Sequence, residues 1–224
     1  MSYLPKEAVT LTGGCYCKAI RYTINVPSWD ERPAVPGALE TPLSATEKVQ
    51  TRMPMIDIDH CGSCRTQAGC LVQCWFIAPI GWVEWDIIPT EGTNDETLHL
   101  STSEAVGPVS QGKSLPQTFV SRFSCTARAT RSFCSRCGTN LSYVNHEYLN
   151  TPMAFVDVTV GSLDPDSLEM AKADRHGWWE FGVDWIRTLL SKGDGGFMIK
   201  HPTGDVRRSI EVMSEEPQIS QSVR

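Results

Sequence analysis

Nine cysteines are the residues of this sequence best suited to chemistry, because most of them occur in closely spaced groups. Such pairs are typical of zinc sites. A structural zinc is closed by four protein ligands, whereas a catalytic zinc keeps one position open for water or substrate. Six of the cysteines form three pairs: Cys15 and Cys17, Cys61 and Cys64, and Cys134 and Cys137.

Two of these pairs, far apart in sequence, can supply a complete four-thiolate site. Cys134 and Cys137 are followed by Gly138, which suits the tight turn of a zinc knuckle. Cys15 and Cys17 lie at the head of a predicted strand. A zinc ion held by these four side chains would clip an early strand to a late one and contribute directly to folding. The alternative is four unrelated thiols in the core.

The remaining pair, Cys61 and Cys64, has no obvious second half and lies in the stretch DHCGSCRTQAGC. In a strand, Asp59 points to the same side as Cys61 and could be a third zinc ligand. The same carboxylate could instead be a general acid or base, or a turn residue that accepts backbone hydrogen bonds. His60 points the opposite way in a regular strand.

Other polar residues permit two interpretations each. Arg65 could bind a substrate carboxylate, or it could form a surface salt bridge. Cys70 and Cys74 could lend a ligand to the second zinc, although core packing is favoured. His176 could be an active-site acid or base, or a hydrogen-bonded, partly buried histidine. Cys125, at the end of a predicted strand, is expected to be structural.

The composition excludes several classes of function. The chain has 224 residues, 41% of them hydrophobic and 21% charged, and a formal net charge of -6. This charge disfavours nucleic acid and anionic membranes as partners and leaves a small-molecule substrate. The first residues lack the pattern of a signal peptide, so a reducing, cytoplasmic location is expected, where cysteines more often bind metals than form disulfides. The sequence leaves homo-oligomerisation open.

Short alternating stretches predict a mainly β fold with one late helix. Residues 55–60 and 153–164 give strong strand patterns, and residues 70–88 predict two core strands. Residues 27–54 are rich in Pro, Ser and Thr and predict a long surface loop or insertion. The helix is expected within residues 177–193. We interpret residues 1–205 as one domain, followed by a polar C-terminal tail, residues 206–224.

Three ordered motifs resemble the glutathione-dependent formaldehyde-activating enzyme family, which also contains centromere protein V. They read GGCYCKAIRY, HCGSCR and RSFCSRCGTNLSY, and the resemblance extends from about residue 11 to about residue 186. It implies a zinc-stapled β-tent fold whose structural zinc is held by Cys15, Cys17, Cys134 and Cys137. It also implies a second, catalytic zinc and a carbon–sulfur lyase type of reaction that joins glutathione to formaldehyde.

One residue departs from the family pattern. The family holds its catalytic zinc by Cys-x-Cys-x-x-Cys, and Asp59 stands here in the place of the first cysteine. A hard carboxylate changes the Lewis acidity of the metal and the thiol chemistry open to it. The resemblance therefore supports zinc-assisted chemistry on a thiol adduct or carbonyl more strongly than it supports formaldehyde. The alternatives are a lyase, dehydratase or isomerase reaction on a larger metabolite, and a non-catalytic zinc-stapled binding module.

Overall fold

The protein is mainly β, as the alternating sequence predicts. The computed structural model describes residues 4–42, 46–91, 96–108, 117–196, 198–201 and 203. The strands in this part are β1 (Val9–Gly14), β2 (Ile20–Val26), β3 (Thr41–Pro42), β4 (Lys48–Val49), β5 (Met55–Asp59), β6 (Gln73–Pro79), β7 (Val83–Ile87), β8 (Leu98–Ser101), β9 (Val120–Thr126), β10 (Ala129–Cys134), β11 (Asn140–Asn145), β12 (Phe155–Thr159) and β13 (Arg175–Gly177). The helices are α1 (Gly62–Ala68), α2 (Thr102–Ala105), α3 (Pro165–Met170) and α4 (Asp184–Lys192).

Two sheets carry most of these strands. The smaller sheet is antiparallel and has the strand order β1-β2-β7-β8. The larger sheet has the order β13-β5-β6-β12-β11-β10-β9, and its one parallel pair joins β13 to β5. Strands β3 and β4 form a separate two-stranded sheet. The β13–β5 pairing brings residues 175–177 beside residues 57–59, which are distant in sequence.

The hydrophobic core contains one face of the larger sheet together with side chains of the smaller sheet. In β2, buried side chains alternate with more exposed ones, which is the pattern of a strand with one face in a core. The largest fully buried side chains include Trp85, Tyr22 and Phe76. Tyr22 and Trp85 contact each other with ring centroids 5.2 Å apart. The larger sheet contributes Ile56, Phe76, Ala78, Leu141, Val144, Val156 and Val158.

The opposite face of the larger sheet is polar and aromatic. Residues that pair across antiparallel strands project to the same side. The register pairs Asp57 with Trp75, Asp157 with Tyr143, and Tyr143 with Arg131. We call this surface the polar face and define it by six residues: Asp57, Asp59, Trp75, Arg131, Tyr143 and Asp157.

The described residues of segment 27–54 are mostly exposed or half-buried, as expected of a surface loop, but three of them are buried and anchor the segment. Arg32, Thr51 and Met53 are all at most 3% exposed. The Arg32 guanidinium donates to the carbonyl oxygens of Pro27 (2.9 Å) and Glu7 (3.2 Å), so it ties the segment to the N-terminal chain. The sequence did not reveal these anchoring contacts, because Arg32 makes them to backbone carbonyl oxygens and they leave no periodic pattern of side chains.

The late helix is confirmed as α4, and Gly193 follows it with a φ of 74°. Three further short helices, α1, α2 and α3, also form among the described residues. They contain only seven, four and six residues, too few for a helical period to be visible in the sequence. The start of α2 does carry a local signal, a capping box between Ser101 and Glu104.

The chain comprises two compact units, Met1–Phe181 and Gly182–Arg224. Both sheets belong to the first unit, and α4 belongs to the second. The expected tail, residues 206–224, lies outside the described residues, and the single domain over residues 1–205 stays a prediction. No helix in the described ranges is long and apolar enough to cross a membrane.

Candidate metal centres

The first candidate centre is the four-cysteine group: Cys15, Cys17, Cys134 and Cys137. Their sulfur atoms all lie within 4.8 Å of one another. The Cys15–Cys17 sulfurs are 3.5 Å apart and the Cys17–Cys134 sulfurs are 3.7 Å apart. Four sulfurs at about 2.3 Å from a tetrahedral zinc lie roughly 3.8 Å from one another. The group therefore has both the donor set and the spacing of a closed zinc site.

Local backbone structure holds these thiols in place. The Gly138 N–H donates to the Cys134 carbonyl oxygen (2.8 Å), and Gly138 has a φ of 77°, which glycine adopts readily. The Ile20 N–H donates to the Cys15 sulfur (3.3 Å). Burial raises the pKa of Cys134 to about 12, so a free thiol would stay protonated and a metal would take the place of its proton.

The second candidate centre consists of Asp59, Cys61 and Cys64, and we call it the Asp59 centre. One carboxylate oxygen and the two sulfurs lie within 4.8 Å of one another. Asp59 ends β5, Cys61 is the N-cap of α1, and Cys64 lies in the first turn of α1. In the described part of the chain, the grouping contains three ligands and not four. Three ligands with an open position are the arrangement of a catalytic zinc.

Two hydrogen bonds fix the Asp59 carboxylate. Its Oδ1 accepts from the backbone N–H of Cys61 (2.7 Å), and its Oδ2 accepts from Nε1–H of Trp75 (3.0 Å). The side chain is only 4% exposed. Each carboxylate oxygen has a further lone pair, so these bonds leave room for a metal. Asp59 is thus a turn residue that accepts a backbone hydrogen bond, and its carboxylate also lies where it could be the third ligand of a metal ion.

The two thiols of the Asp59 centre have different environments. Cys64 is buried, and burial, followed by Asp59, raises its pKa to about 12, while Arg131 acts in the opposite direction. Cys61 is half-buried. Burial acts to raise its pKa, but hydrogen bonds, first that of the Ser63 hydroxyl at 3.2 Å, lower it overall. The centre therefore combines a half-buried thiol of lowered pKa with a buried thiol of raised pKa.

Arg131 is a functional candidate that the sequence did not reveal. Its Nη2 donates to the Cys64 sulfur (3.1 Å), and the residue is 3% exposed. Its guanidinium carbon lies 5.8 Å from the Trp75 ring centroid and 5.0 Å from that of Tyr143. Arg131 occurs in β10, distant in sequence from Cys64, and no local motif marks it. Only the strand register brings it to the polar face.

Two further carboxylates on the polar face were also missed. Burial raises the pKa of Asp57 to about 7 and raises the pKa of Asp157 well above its usual range. Asp57 and Asp59 then raise the pKa of Asp157 further, and Arg131 lowers it. Gly177 packs directly on Asp57, because a Cβ at this glycine would lie 2.5 Å from Asp57 Oδ2. In the sequence, only the alternation of Asp57 and Asp157 with apolar residues along their strands could have indicated these two carboxylates.

His176 is joined to the Asp59 centre through His60. It pairs with Ile58 in the β13–β5 register, and its Nδ1 lies 3.1 Å from Nε2 of His60. The Trp179 ring packs against both imidazoles, with centroid distances of 4.7 Å to His176 and 5.0 Å to His60. The hydrogen bond expected of a structural His176 is therefore present, but the residue is exposed and not partly buried as that interpretation expected, and its acid–base role stays a prediction.

The other candidates lie around the centre without joining it. Arg65 is half-buried on α1. Burial raises the pKa of Cys70, and the charge of Arg65 only partly opposes this rise. Cys74 packs against the hydrophobic core, as expected. Cys125 donates to the Ala129 carbonyl oxygen (3.5 Å). Neither Cys70 nor Cys74 belongs to a metal-ligand group among the described residues.

Comparisons with known proteins add little. No family model and no curated protein matches the sequence. A crystal structure of a Rhodobacter sphaeroides protein is similar over 74% of this chain and 99% of its own, with 14% identity and a TM-score of 0.33. A similarity this weak carries no argument about function.

Proposed function

We propose that this protein is a zinc-dependent enzyme of the carbon–sulfur lyase type, acting on a thiol adduct or a carbonyl substrate. The supporting observation is the contrast between the two candidate centres. The four-cysteine group can close a structural site by itself, whereas the Asp59 centre offers three ligands and so leaves a coordination position for a substrate. The three motifs that resemble the formaldehyde-activating family point to the same chemistry.

The residues of the Asp59 centre suit zinc. Thiolates and carboxylates are accepted zinc ligands. Three negative side chains so close together, two of them buried, would be costly without a cation. Bound there by Asp59, Cys61 and Cys64, zinc would supply Lewis acidity toward a carbonyl or thiol. Arg131 holds the Cys64 sulfur by a charge-assisted hydrogen bond, which favours its thiolate.

Proton movement falls to two side chains of this protein, Asp59 and His176. In adduct formation a carbon–sulfur bond forms as the carbonyl π bond breaks, and the thiol proton ends on the former carbonyl oxygen. An Asp59 carboxylate that is not a ligand can accept and return that proton. His176 is the second candidate for this transfer, through its hydrogen bond with His60.

Metal content provides the first test. We expect two zinc ions per chain in the wild type and one in Cys61→Ser, with the fold retained. Cys125→Ser is the matched control, because Cys125 lies outside both groups in the described structure, and it should keep both ions. One zinc ion in wild type and Cys61→Ser alike would contradict a second metal centre.

A thiol-plus-aldehyde assay then tests the reaction. Adduct formation faster than the uncatalysed rate, and lost in Cys61→Ser, supports the lyase proposal. Activity unchanged in Asp59→Asn would remove Asp59 from the mechanism. A metal-dependent reaction on a larger carbonyl compound, with none on small aldehydes, would favour the dehydratase or isomerase alternative.

A specific observation favours a second candidate, a non-catalytic zinc-stapled binding module. Both Asp59 oxygens already accept hydrogen bonds, as expected of a residue that shapes the turn into α1. In that case the second zinc would be absent, and Asp59→Asn would lower stability without changing metal content. The metal analysis of the same variants separates the two candidates.

A further inference from the structure

The polar face carries more negative charge than the Asp59 centre needs. Asp57 and Asp59 are two residues apart on β5 and project to one side, and Asp157 reaches the same side from β12. The two strands are separated only by β6. The strand register pairs Asp57 with Trp75 and Asp157 with Ile77, which is two residues along β6 from Trp75. These three carboxylates therefore lie on one face of three adjacent strands.

Polar atoms of this face have no hydrogen-bond partner in the described structure. They are Oδ1 of Asp57, Oδ1 of Asp157 and Nη1 of Arg131, all of them buried. Arg131 is itself 3% exposed, and its other terminal nitrogen is committed to Cys64. Buried polar groups are nearly always satisfied by protein, water or a ligand. The face thus offers two acceptors and one donor to a molecule that binds there.

The unpartnered atoms indicate what kind of molecule fits. Two buried carboxylate oxygens on one face can accept hydrogen bonds from a donor, and Nη1 of Arg131 can donate to an acceptor. The nearby Arg175 guanidinium is paired with Asp174 through contacts of 2.7 and 3.0 Å. An anionic ligand would add repulsion, whereas a cationic donor would satisfy the two carboxylate oxygens.

We propose that the polar face binds a small substrate with a protonated amino group, placed at Asp57 and Asp157, and an oxygen acceptor, placed at Arg131. This inference rests on the proposed function and narrows its substrate to an aminothiol or the adduct of an aminothiol with an aldehyde. Such an adduct carries both required groups, an ammonium and a hydroxyl oxygen. Glutathione, which bears two carboxylates and one ammonium, fits this face poorly.

Thiol binding to the cobalt-substituted full-length protein tests the inference. Cobalt(II) replaces zinc and reports thiolate binding by its sulfur-to-metal absorption. Cysteamine and 2-mercaptoethanol are the decisive pair of probes, because they differ only in an ammonium and a hydroxyl group. We expect cysteamine to bind about tenfold more tightly, corresponding to ~1.4 kcal/mol. Glutathione and 3-mercaptopropionate should bind more weakly than 2-mercaptoethanol.

Two variants separate recognition of the ammonium from its effect on thiol acidity. The effect of the ammonium on thiol acidity is the same in every variant. The decisive quantity is therefore the change that a substitution makes in the preference for cysteamine over 2-mercaptoethanol. Asp157→Asn and Asp57→Asn should each reduce the preference at least threefold, about 0.65 kcal/mol. Asp166→Asn, an exposed aspartate in the first turn of α3, is the matched control and should leave it unchanged.

The outcomes distinguish this inference from the proposed function. Two cobalt ions per chain with no wild-type preference for cysteamine would overturn the inference alone. A preference that survives unchanged in Asp157→Asn and Asp57→Asn would also overturn it. One cobalt ion per chain would overturn the second metal centre and the inference with it. If neither variant folds, the wild-type order of the four thiols, compared at equal concentrations of each thiolate, decides: no preference for cysteamine would overturn the inference.

Discussion

Replacing Arg131 by methionine should weaken metal binding at the Asp59 centre about ten- to hundredfold. The Arg131 guanidinium donates to the Cys64 sulfur at 3.1 Å in a position that is 3% exposed. Methionine fills a similar volume but carries neither charge nor donor. The Cys64 thiolate would then lie buried without its cation, next to the carboxylate of Asp59.

The magnitude follows from the strength of this one contact. A hydrogen bond to a charged group contributes about 1.5–3 kcal/mol, and ~1.4 kcal/mol corresponds to a factor of ten. Residues that hydrogen-bond a metal ligand typically change metal affinity by about 10- to 100-fold when replaced. Arg131→Lys should give an intermediate loss, because it keeps the charge but not the planar guanidinium that contacts the Trp75 and Tyr143 rings.

Competition with a chromophoric chelator measures this loss. The four-cysteine group, which Arg131 is not seen to contact, is an internal reference in the same protein. Only the weaker-bound metal should be released earlier in Arg131→Met, and thermal unfolding of the fully loaded protein checks that the variant is folded. Equal affinities in the wild type and Arg131→Met would refute the assignment of Arg131 to the Asp59 centre. Loss of both metals together would indicate a global folding defect and would also refute it.

Further predictions concern stability and metal content. Burial raises the pKa of Asp57 to about 7, so its ionisation destabilises the metal-free fold as pH rises from about 4 to 7. A rise of about three pKa units corresponds to ~4 kcal/mol. In denaturant titrations, Asp57→Asn should therefore raise the free energy of unfolding by up to ~4 kcal/mol at pH 8 and leave it unchanged at pH 4. Gly177→Ala should lower the free energy of unfolding by ~1–3 kcal/mol, because the new Cβ would lie 2.5 Å from Asp57 Oδ2. The control Gly81→Ala, whose Cβ would have no atom within 4 Å, should lower it by less than ~1 kcal/mol. Equal losses in the two variants would contradict the close packing of Gly177 on Asp57. Cys134→Ser should lose one zinc ion and unfold at a markedly lower temperature, whereas the control Cys70→Ser should keep its metal content. A Cys134→Ser protein that keeps all its zinc would contradict zinc binding by the four-cysteine group.

Local motifs predicted both candidate centres because metal ligands in short-range pairs are constrained by the turn that joins them. Cys134, Cys137 and Gly138 specify a knuckle within a few residues, and the structure brings them to Cys15 and Cys17 as expected. The mainly β class and the late helix also followed from local patterns. The short helix α1 did not, because seven residues show too little periodicity.

What the sequence by itself determined is the set of candidate metal ligands and the strands that carry them, because ligand spacing and side-chain alternation are properties of adjacent residues. What only the tertiary structure decided is the environment of those ligands. Arg131, Asp57 and Asp157 occur on three different strands, and they meet at the Asp59 centre only through the order and register of the larger sheet. Register depends on packing across the whole core, so no short stretch of residues encodes it.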